Sequence, residues 1–252
     1  ATARAEQRRG RVFVGRDIQD HRSYWERVSE SPTPPVALRG LAELHAGAVR
    51  IERAVRPRPQ GRGARPWVIG IGNLEAGGTG KTPCLIELAG ALVERGLCVA
   101  VLTRGHGGAI GRRPTFVNRE QLEGASDETR EVAGALGPGT SLLVARDKRA
   151  GLELLRARND WDVVLVDDAF QTARLPVDRH LVLLDWKHPF ANGWLLPAGR
   201  LREPVEGLRR ADVLFVMAGD MRLTRSMPGD LGRLGRAGKT LVDYAAQRGV
   251  AP

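Results

Sequence analysis

From Pro66 onward, the apolar positions of the chain follow two alternating patterns. Short apolar runs, typical of buried strands, are separated by stretches with helical spacing. The predicted strands are Trp67–Gly72, Leu97–Thr103, Ser141–Val144, Asp162–Val166, His180–Asp185 and Asp212–Met217. The predicted helices are Lys81–Arg95, Asp127–Leu136, Arg146–Arg158 and Glu203–Arg210. Because strands separated by helices form parallel pairs through crossovers, the predicted class is α/β with a mainly parallel sheet flanked by helices.

The first 60 residues follow a different pattern and form a basic N-terminal segment. Residues 1–35 are polar and arginine-rich, and they end in a Ser-Pro-Thr-Pro-Pro cluster that favours a break. Residues 36–55 have apolar side chains three to four positions apart, which predicts an amphipathic helix. Its other face carries Arg39, Arg50 and Arg53. The helix is therefore expected either to lie on an anionic membrane surface or to pack on the following domain.

Composition excludes several classes of protein. The chain has 252 residues, 42% of them hydrophobic, which is enough for a large buried core. Its two cysteines, Cys84 and Cys98, can form neither a disulfide framework nor a four-ligand zinc site, and we expect them to be reduced. No apolar run approaches the roughly 18 residues that a membrane-spanning helix needs. Residues 1–14 lack the apolar centre of a secretory signal.

The charge balance favours an anionic partner without identifying it. The formal net charge is +10, and only four of the 39 basic residues are lysines. Arginine binds phosphates through bidentate hydrogen bonds. Nucleic acid, anionic lipid and a phosphorylated substrate are therefore all compatible with the excess of arginine. An ordinary solvated basic surface is compatible as well.

The sharpest chemical signal is a glycine-rich loop between the first predicted strand and the helix that follows it. Its sequence is Gly77-Gly78-Thr79-Gly80-Lys81-Thr82. Backbone N–H groups of such a loop surround phosphates, and the helix N-terminus adds partial positive charge. Lys81 is expected to reach the β- and γ-phosphates, and Thr82 to bind magnesium. The consensus loop has a glycine five residues before Gly80, where this chain has Glu75.

An acidic pair supports a nucleotide site of the P-loop NTPase type. The predicted strand Asp162–Val166 ends in Asp167-Asp168. Carboxylates at the carboxyl end of a buried strand hold magnesium in phosphate-loop enzymes. A partitioning-type ATPase would need an additional lysine at the position of Ala76, which counts against that alternative. A basic nucleic-acid-associated ATPase rests on charge alone.

Six segments in order along the chain carry a more specific pattern. They are Gly72–Pro83, Thr103–Gly108, Ser126–Glu128, Arg146-Asp147, Asp167–Gln171 and Asn192–Pro204. Together they resemble the tetraacyldisaccharide 4'-kinase family, the lipid A 4'-kinases, over residues 36–219. That family also lacks the first loop glycine and has proline after the Lys-Thr pair. The last segment is the most specific, because no general phosphate-loop argument requires it.

The resemblance implies transfer of the ATP γ-phosphate to the 4'-hydroxyl of a tetraacylated glucosamine disaccharide 1-phosphate in lipid A biosynthesis. It implies ATP and Mg²⁺ as cofactors, a lipid-linked disaccharide as substrate, an anionic membrane surface as partner, and no nucleic acid. The implied location is peripheral, on the cytoplasmic face of the bacterial inner membrane. The expected division is a basic segment over 1–60, a P-loop kinase core over 61–219, and a truncated C-terminal part over 220–252, which is either a remnant or the start of a C-terminal domain.

The resemblance also implies roles for individual residues. The implied base is Asp127, with Glu128 beside it, although an ordinary helix N-terminal carboxylate is an alternative for Asp127. The implied catalytic set is Asp127, Lys81, Glu128, Arg104 and Arg202. The implied nucleotide-binding residues are Gly77, Gly78, Thr79, Gly80, Lys81, Thr82 and Gln171. The implied magnesium ligands are Thr82, Asp167, Asp168 and Glu203.

The chain departs from the family pattern in three places. Ala169 and Thr172 replace the glycine and histidine of the family's Asp-Asp-Gly-x-Gln-His, and His106 replaces an aromatic residue. The family also has a second domain, whose histidine partners the catalytic aspartate, whereas no histidine follows His188 here. These departures leave an alternative open, in which a catalytically weak nucleotide-binding relative acts as an interaction or regulatory module.

Overall fold

The computed structural model describes residues 28, 31–55, 66–120, 122–172, 174–185, 189–218 and 222–226. The helices in these ranges are α1 Val36–Val55, α2 Lys81–Val93, α3 Asp127–Ala135 and α4 Lys148–Arg158, with a 3₁₀ helix at Val205–Arg210. The strands are β1 Trp67–Asn73, β2 Val99–Thr103, β3 Thr115–Val117, β4 Thr140–Val144, β5 Val163–Val166, β6 Arg179–Asp185, β7 Val213–Ala218 and β8 Arg222–Ser226.

The strands form one sheet in the order β3-β4-β2-β5-β1-β6-β7-β8. The six central strands are parallel, and the edge strands β3 and β8 are antiparallel to their neighbours. The predicted α/β class with a mainly parallel sheet is therefore confirmed. Strand β5 lies between β2 and β1, so the acidic pair that follows β5 ends at the same edge as the phosphate loop.

The two edge strands are absent from the prediction for a physical reason. Strand β3 has three residues, of which only Val117 is buried, so it leaves no apolar run in the sequence. Strand β8 is the polar segment Arg-Leu-Thr-Arg-Ser, which pairs with β7 through the backbone. The sheet therefore continues beyond residue 219, where the predicted kinase core ends.

Local capping explains where the helices begin. Asp147, predicted inside a helix, is instead the N-cap of α4, and its carboxylate accepts from the backbone N–H groups of Arg149 and Ala150. The predicted helix at Glu203–Arg210 is wrong in type, because Val205–Arg210 forms a six-residue 3₁₀ helix after Pro204. Such short helices are common as connectors.

Helix α1 confirms the predicted helix at 36–55 and has two distinct faces. Ala42 and Ala46 are buried in a core cluster with Phe190, Leu195 and Val205. The opposite face exposes the large apolar side chains Val36, Leu41, Leu44 and Ile51. The helix thus packs on the core and still leaves an apolar surface uncovered within the described residues.

Some predictions concern residues outside the described ranges. They concern residues 56–60 and most of residues 1–35 in the basic N-terminal segment, and the C-terminal part from 227 onward. Among the described helices, none combines the length and the apolar character needed to cross a membrane.

Candidate functional site

The phosphate loop is held from inside by Asn73, the last residue of β1. Asn73 is fully buried, and its Nδ2 donates to the Glu75 carbonyl at 2.8 Å and to Thr79 Oγ1 at 2.7 Å. Its Oδ1 accepts from Lys81 Nζ at 3.2 Å. One amide therefore fixes both the loop and its lysine. The sequence analysis missed Asn73, although a polar residue ending a buried strand was an available signal.

Two loop glycines have backbone conformations that other residues rarely adopt. Gly77 has φ of +122° and Gly80 has φ of +75°. A Cβ at Gly77 would also overlap the Arg200 guanidinium. Gly80 directly precedes α2, so the backbone N–H groups of the loop lie next to the positive end of that helix. The loop therefore has the conformation that phosphate binding requires at these positions.

The first loop position is held by strand pairing in place of the consensus glycine. Glu75 forms an antiparallel bridge with Leu201. The flanking bonds run from Ala76 N to the Arg200 carbonyl at 2.7 Å and from Arg202 N to the Leu74 carbonyl at 2.8 Å. An extended residue suits such a bridge, so glycine is not required at Glu75.

Glu75 is a buried carboxyl in this bridge. Burial raises the pKa of Glu75 to about 7; the neighbouring Arg200 opposes that increase and Asp185 adds to it. Arg200 also lies across the loop, because its Nε donates to the Ala76 carbonyl at 3.2 Å. A carboxyl group that titrates near neutral pH therefore lies beside the phosphate loop.

Asp168 is contacted by three basic side chains, those of Arg202, Lys81 and Lys148.

 Arg202 Nη1 donates to both carboxylate oxygens of Asp168, at 3.0 and 3.1 Å, and Lys81 Nζ lies 3.7 Å from Oδ1. Lys148 Nζ donates to the Asp168 backbone carbonyl at 2.7 Å. Burial alone would raise the pKa of Asp168, but Arg202, Lys81 and Lys148 together hold it below its ordinary value.

Lys148 is a second residue that the sequence analysis missed. It is the first residue of α4, it is buried, and it lies beneath the acidic pair. Asp168 has φ of +45°, which is unusual for a residue other than glycine, and the bond from Lys148 fixes its carbonyl. The turn that directs the two carboxylates is therefore held by a side chain from the neighbouring helix.

Asp167 has the features of a cation ligand. Its Oδ2 accepts from Thr103 Oγ1 at 3.4 Å, whereas its Oδ1 is buried without a partner among the described residues. Burial raises the pKa of Asp167; Lys148 opposes this effect, and Asp168 and Glu128 strengthen it. A buried carboxylate oxygen without a partner, beside a phosphate loop, is the type of donor that magnesium prefers.

The residues present fit a magnesium ion shared with nucleotide phosphates. In the described ranges, no group of three or more His, Cys, Asp or Glu side chains is arranged to hold a metal ion by itself. Magnesium is usually held by one or two carboxylates together with substrate phosphates, so Asp167 and Asp168 satisfy that requirement. Thr82, the second residue of α2, lies at the N-terminal end of the helix, directly after the loop.

Gln171, which is half-buried, and Glu203, which is buried, form a separate pair behind the loop. Gln171 Nε2 donates to the Asn73 carbonyl at 2.8 Å and to Glu203 Oε1 at 2.7 Å. The second Glu203 oxygen accepts from Arg210, a residue that the sequence analysis did not single out. Glu203 is therefore in the cluster that the resemblance implies, but both its oxygens are engaged by protein side chains.

The remaining predicted residues, Arg104, Asp127 and Glu128, are exposed. Arg104 follows β2, and Asp127 and Glu128 begin α3 after the N-cap Ser126. Glu128 contributes to the raised pKa of Asp167, and Arg104 to the lowered pKa of Lys148, a shift caused mainly by burial. The structure thus brings Glu128 and Arg104 near the carboxylates. Asp127 also has the position of an ordinary helix N-terminal carboxylate.

The alanine that departs from the family pattern fits a local space. Ala169 is fully buried, and a Cβ built on Gly70 of β1 would lie 2.9 Å from the Ala169 Cβ. Because Gly70 has no side chain, the extra methyl group of Ala169 is accommodated. Thr172 N donates to the Ala169 carbonyl at 3.0 Å, which closes the turn after the acidic pair.

Comparison with known sequences gives a consistent result. The family described as Tetraacyldisaccharide-1-P 4'-kinase matches residues 35–242. The tetraacyldisaccharide 4'-kinase of Geobacter metallireducens is 39% identical over 184 residues, which cover 71% of this chain and 51% of that protein. The enzyme of the same name from Chlamydia trachomatis is 35% identical over 207 residues, covering 81% and 54%. The chain therefore spans about half the length of the curated relatives it matches.

Comparison with solved structures supports the same fold. The structure of LpxK from Aquifex aeolicus in complex with ATP has a TM-score of 0.62 and 27% sequence identity. The similarity covers 73% of this chain and 58% of that chain. The predicted P-loop NTPase-like architecture is confirmed.

Proposed function

The chain belongs to the tetraacyldisaccharide-1-P 4'-kinase family, and from this membership we propose that it transfers the ATP γ-phosphate to the 4'-hydroxyl of a tetraacylated glucosamine disaccharide 1-phosphate. The observation that carries the proposal is the meeting of Lys81 and Arg202 on Asp168 beside the phosphate loop. Two cations placed there are available to the phosphates of a nucleotide in the loop. The identity of the acceptor is inferred from the names of the relatives.

The nucleotide is proposed to bind through Gly77, Gly78, Thr79, Gly80, Lys81 and Thr82, with Gln171 behind the loop. Lys81 and Arg202 neutralise the charge of the phosphoryl group during transfer. Asp167, Asp168 and Thr82 would hold magnesium, which neutralises charge on the β- and γ-phosphate oxygens when it is bound. Asp167 Oδ1, buried without a described partner, is the atom best suited to that contact.

The acceptor hydroxyl is proposed to meet the exposed group at the start of α3. A sugar hydroxyl is a weak nucleophile, so a carboxylate placed to accept its proton assists the transfer. We assign that role to Asp127, with Glu128 beside it and Arg104 as a further cation for the transferring phosphoryl group. Their exposure leaves room for a large acceptor.

Helix α1 supports a peripheral position on an anionic membrane, proposed to be the cytoplasmic face of the inner membrane. Its exposed apolar residues Val36, Leu41, Leu44 and Ile51 have no cover within the described residues. Such a face buries itself at the boundary between headgroups and acyl chains. Leu44→Asp should weaken binding to vesicles containing anionic lipid by about tenfold or more, since it loses apolar burial and adds a negative charge. Unchanged vesicle binding, measured by co-sedimentation, would contradict this position.

The test of the kinase proposal is Lys81→Ala assayed with labelled ATP and the disaccharide 1-phosphate. We expect transfer to be abolished while the fold persists, because Asn73 still holds the loop through Thr79. Arg149→Ala, an exposed change on α4, serves as the control. Full activity of the Lys81→Ala variant would reject the nucleotide assignment. ATP binding by the unaltered chain without any transfer would support the weak nucleotide-binding alternative.

A further inference from the structure

Arg210, at the end of the 3₁₀ helix, forms an ion pair with the buried carboxylate of Glu203. Its Nη2 donates to Glu203 Oε2, and the Glu203 side chain is only 1% exposed. Nη1 donates to the Phe170 carbonyl at 3.3 Å, and the guanidinium carbon lies 4.2 Å from the centre of the Phe170 ring. Burial lowers the pKa of Arg210 to about 10, so the guanidinium is still charged at neutral pH.

The 3₁₀ helix is shaped around this ion pair. Gly207 is buried, and a Cβ at this position would overlap Glu203 Oε2 and lie 3.1 Å from Arg210 Nη2. Its backbone N–H donates to the Pro204 carbonyl at 2.9 Å, which bends the chain back over the carboxylate. The lack of a side chain at Gly207 therefore makes room for the Arg210–Glu203 contact.

The other oxygen of Glu203 connects the ion pair to the phosphate loop. Oε1 accepts from Gln171 Nε2, which also donates to the Asn73 carbonyl. Because both partners are acceptors, the orientation of the Gln171 amide is fixed. The Asn73 side chain in turn binds Thr79 and Lys81. A continuous chain of contacts thus runs from Arg210 to the lysine of the loop.

This geometry gives Glu203 a different character from Asp167. Its charge is compensated by Arg210, and both its oxygens are used by protein side chains. Asp167, in contrast, has a buried oxygen without a described partner. One or two carboxylates with phosphates are sufficient for magnesium, so Glu203 is not needed as a ligand.

Resting on the proposed kinase function, we propose that Arg210 is a positioning residue that acts through Glu203. Arg210 holds Glu203 on Gln171, and Gln171 holds the end of β1, so that Asn73 presents Lys81 to the nucleotide phosphates. Glu203 braces the loop in this arrangement and does not ligate magnesium, in contrast to the role that the resemblance implies.

Four variants separate this role from the alternatives. Arg210→Met keeps an unbranched chain but removes the positive charge that Arg210 places on the buried Glu203 carboxylate. Because that variant is at risk of unfolding, the double variant Glu203→Gln with Arg210→Met supplies a neutral pair. Glu203→Gln alone tests the magnesium role. Arg209→Met, an exposed change one residue away on the same helix, is the matched control.

The measurements are ATP affinity at saturating magnesium and the magnesium concentration that gives half-maximal ATP binding, both by calorimetry well below the melting temperature. We expect Arg210→Met to weaken ATP binding about tenfold, with partial recovery in the double variant, because the neutral side chain introduced by Glu203→Gln does not need the charge of Arg210. Glu203→Gln should change the magnesium requirement by less than about twofold, because a magnesium shell of one or two carboxylates does not include Glu203. Arg209→Met should match the unaltered chain.

Two results would overturn the proposal. A magnesium requirement raised about tenfold or more by Glu203→Gln would make Glu203 a ligand, because loss of a coordinating carboxylate weakens the metal site directly. Unchanged ATP affinity in Arg210→Met and in the double variant, with only a lower melting temperature, would show a purely structural ion pair. Since these readouts need ATP binding and no transfer, a failure of the kinase assay with the unaltered chain rejects the proposed function separately.

Discussion

The two sides of the candidate site differ in how far the fold has already arranged them. On the nucleotide side, Asn73, Lys81, Asp168 and Arg202 are joined by hydrogen bonds and ion pairs at distances between 3.0 and 3.7 Å. On the acceptor side, Arg104, Asp127 and Glu128 are exposed. The phosphate-binding geometry is thus arranged by contacts within the fold, whereas the side chains of the proposed acceptor side are open to solvent.

The largest expected effect concerns the acceptor side. Asp127→Asn keeps the size of the side chain but cannot accept the hydroxyl proton, so we expect turnover to fall about 10²–10⁴-fold. ATP affinity should change little, because Asp127 is not part of the braced nucleotide side. Turnover and ATP affinity are measured on the same preparation, with the exposed Glu131→Gln change on α3 as control. Equal losses in the two quantities would remove the distinction between the sides.

The next effect concerns the nucleotide side. Asn73→Ala removes three hydrogen bonds from a fully buried position, so ATP binding and the free energy of unfolding should each weaken by about 1–3 kcal/mol. Calorimetric ATP binding and chemical denaturation measure these changes. Asn118→Ala, on the exposed surface, is the control. If ATP affinity stayed at its original value, the loop would not depend on this side chain for its arrangement.

The smallest effect tests the pH dependence of the braced loop. The pKa of Glu75 is about 7 in the folded chain against 4.5 as its ordinary value. Between these values the unfolded chain binds fewer protons, so the stability associated with neutral Glu75 is complete below 4.5 and is lost as the pH rises through 7.

Glu75→Gln removes this titration. The unfolding free energy of the variant minus that of the original chain should increase by about 1–2 kcal/mol when the pH is raised from 5 to 8. Denaturant titrations at the two pH values measure the difference, and the exposed Glu87→Gln change on α2 should show none. A gain in the opposite direction would mean that Arg200 outweighs burial at this carboxyl.

The sequence predicted what depends on local pattern and missed what depends on distant contacts. The apolar runs predicted β1 and β5, and their parallel order predicted that the loop and Asp167-Asp168 meet at one edge. Lys148 and Arg210 were missed because they contact Asp168 and Phe170, 20 and 40 residues away in the chain. Asn73 was missed although the partners of its side chain are local. Asp168 illustrates both cases: its position was predicted, but its contact with Arg202, 34 residues away, required the fold.

The bridge between Glu75 and Leu201 has a consequence for recognising such loops in other sequences. A search that demands the first consensus glycine would pass over this chain, although its loop is complete in three dimensions. The information that replaces the glycine is divided between two distant segments, 74–76 and 200–202. Charge changes at Glu75 and Arg200 should therefore vary together among related proteins, because each residue forms part of the other's electrostatic surroundings.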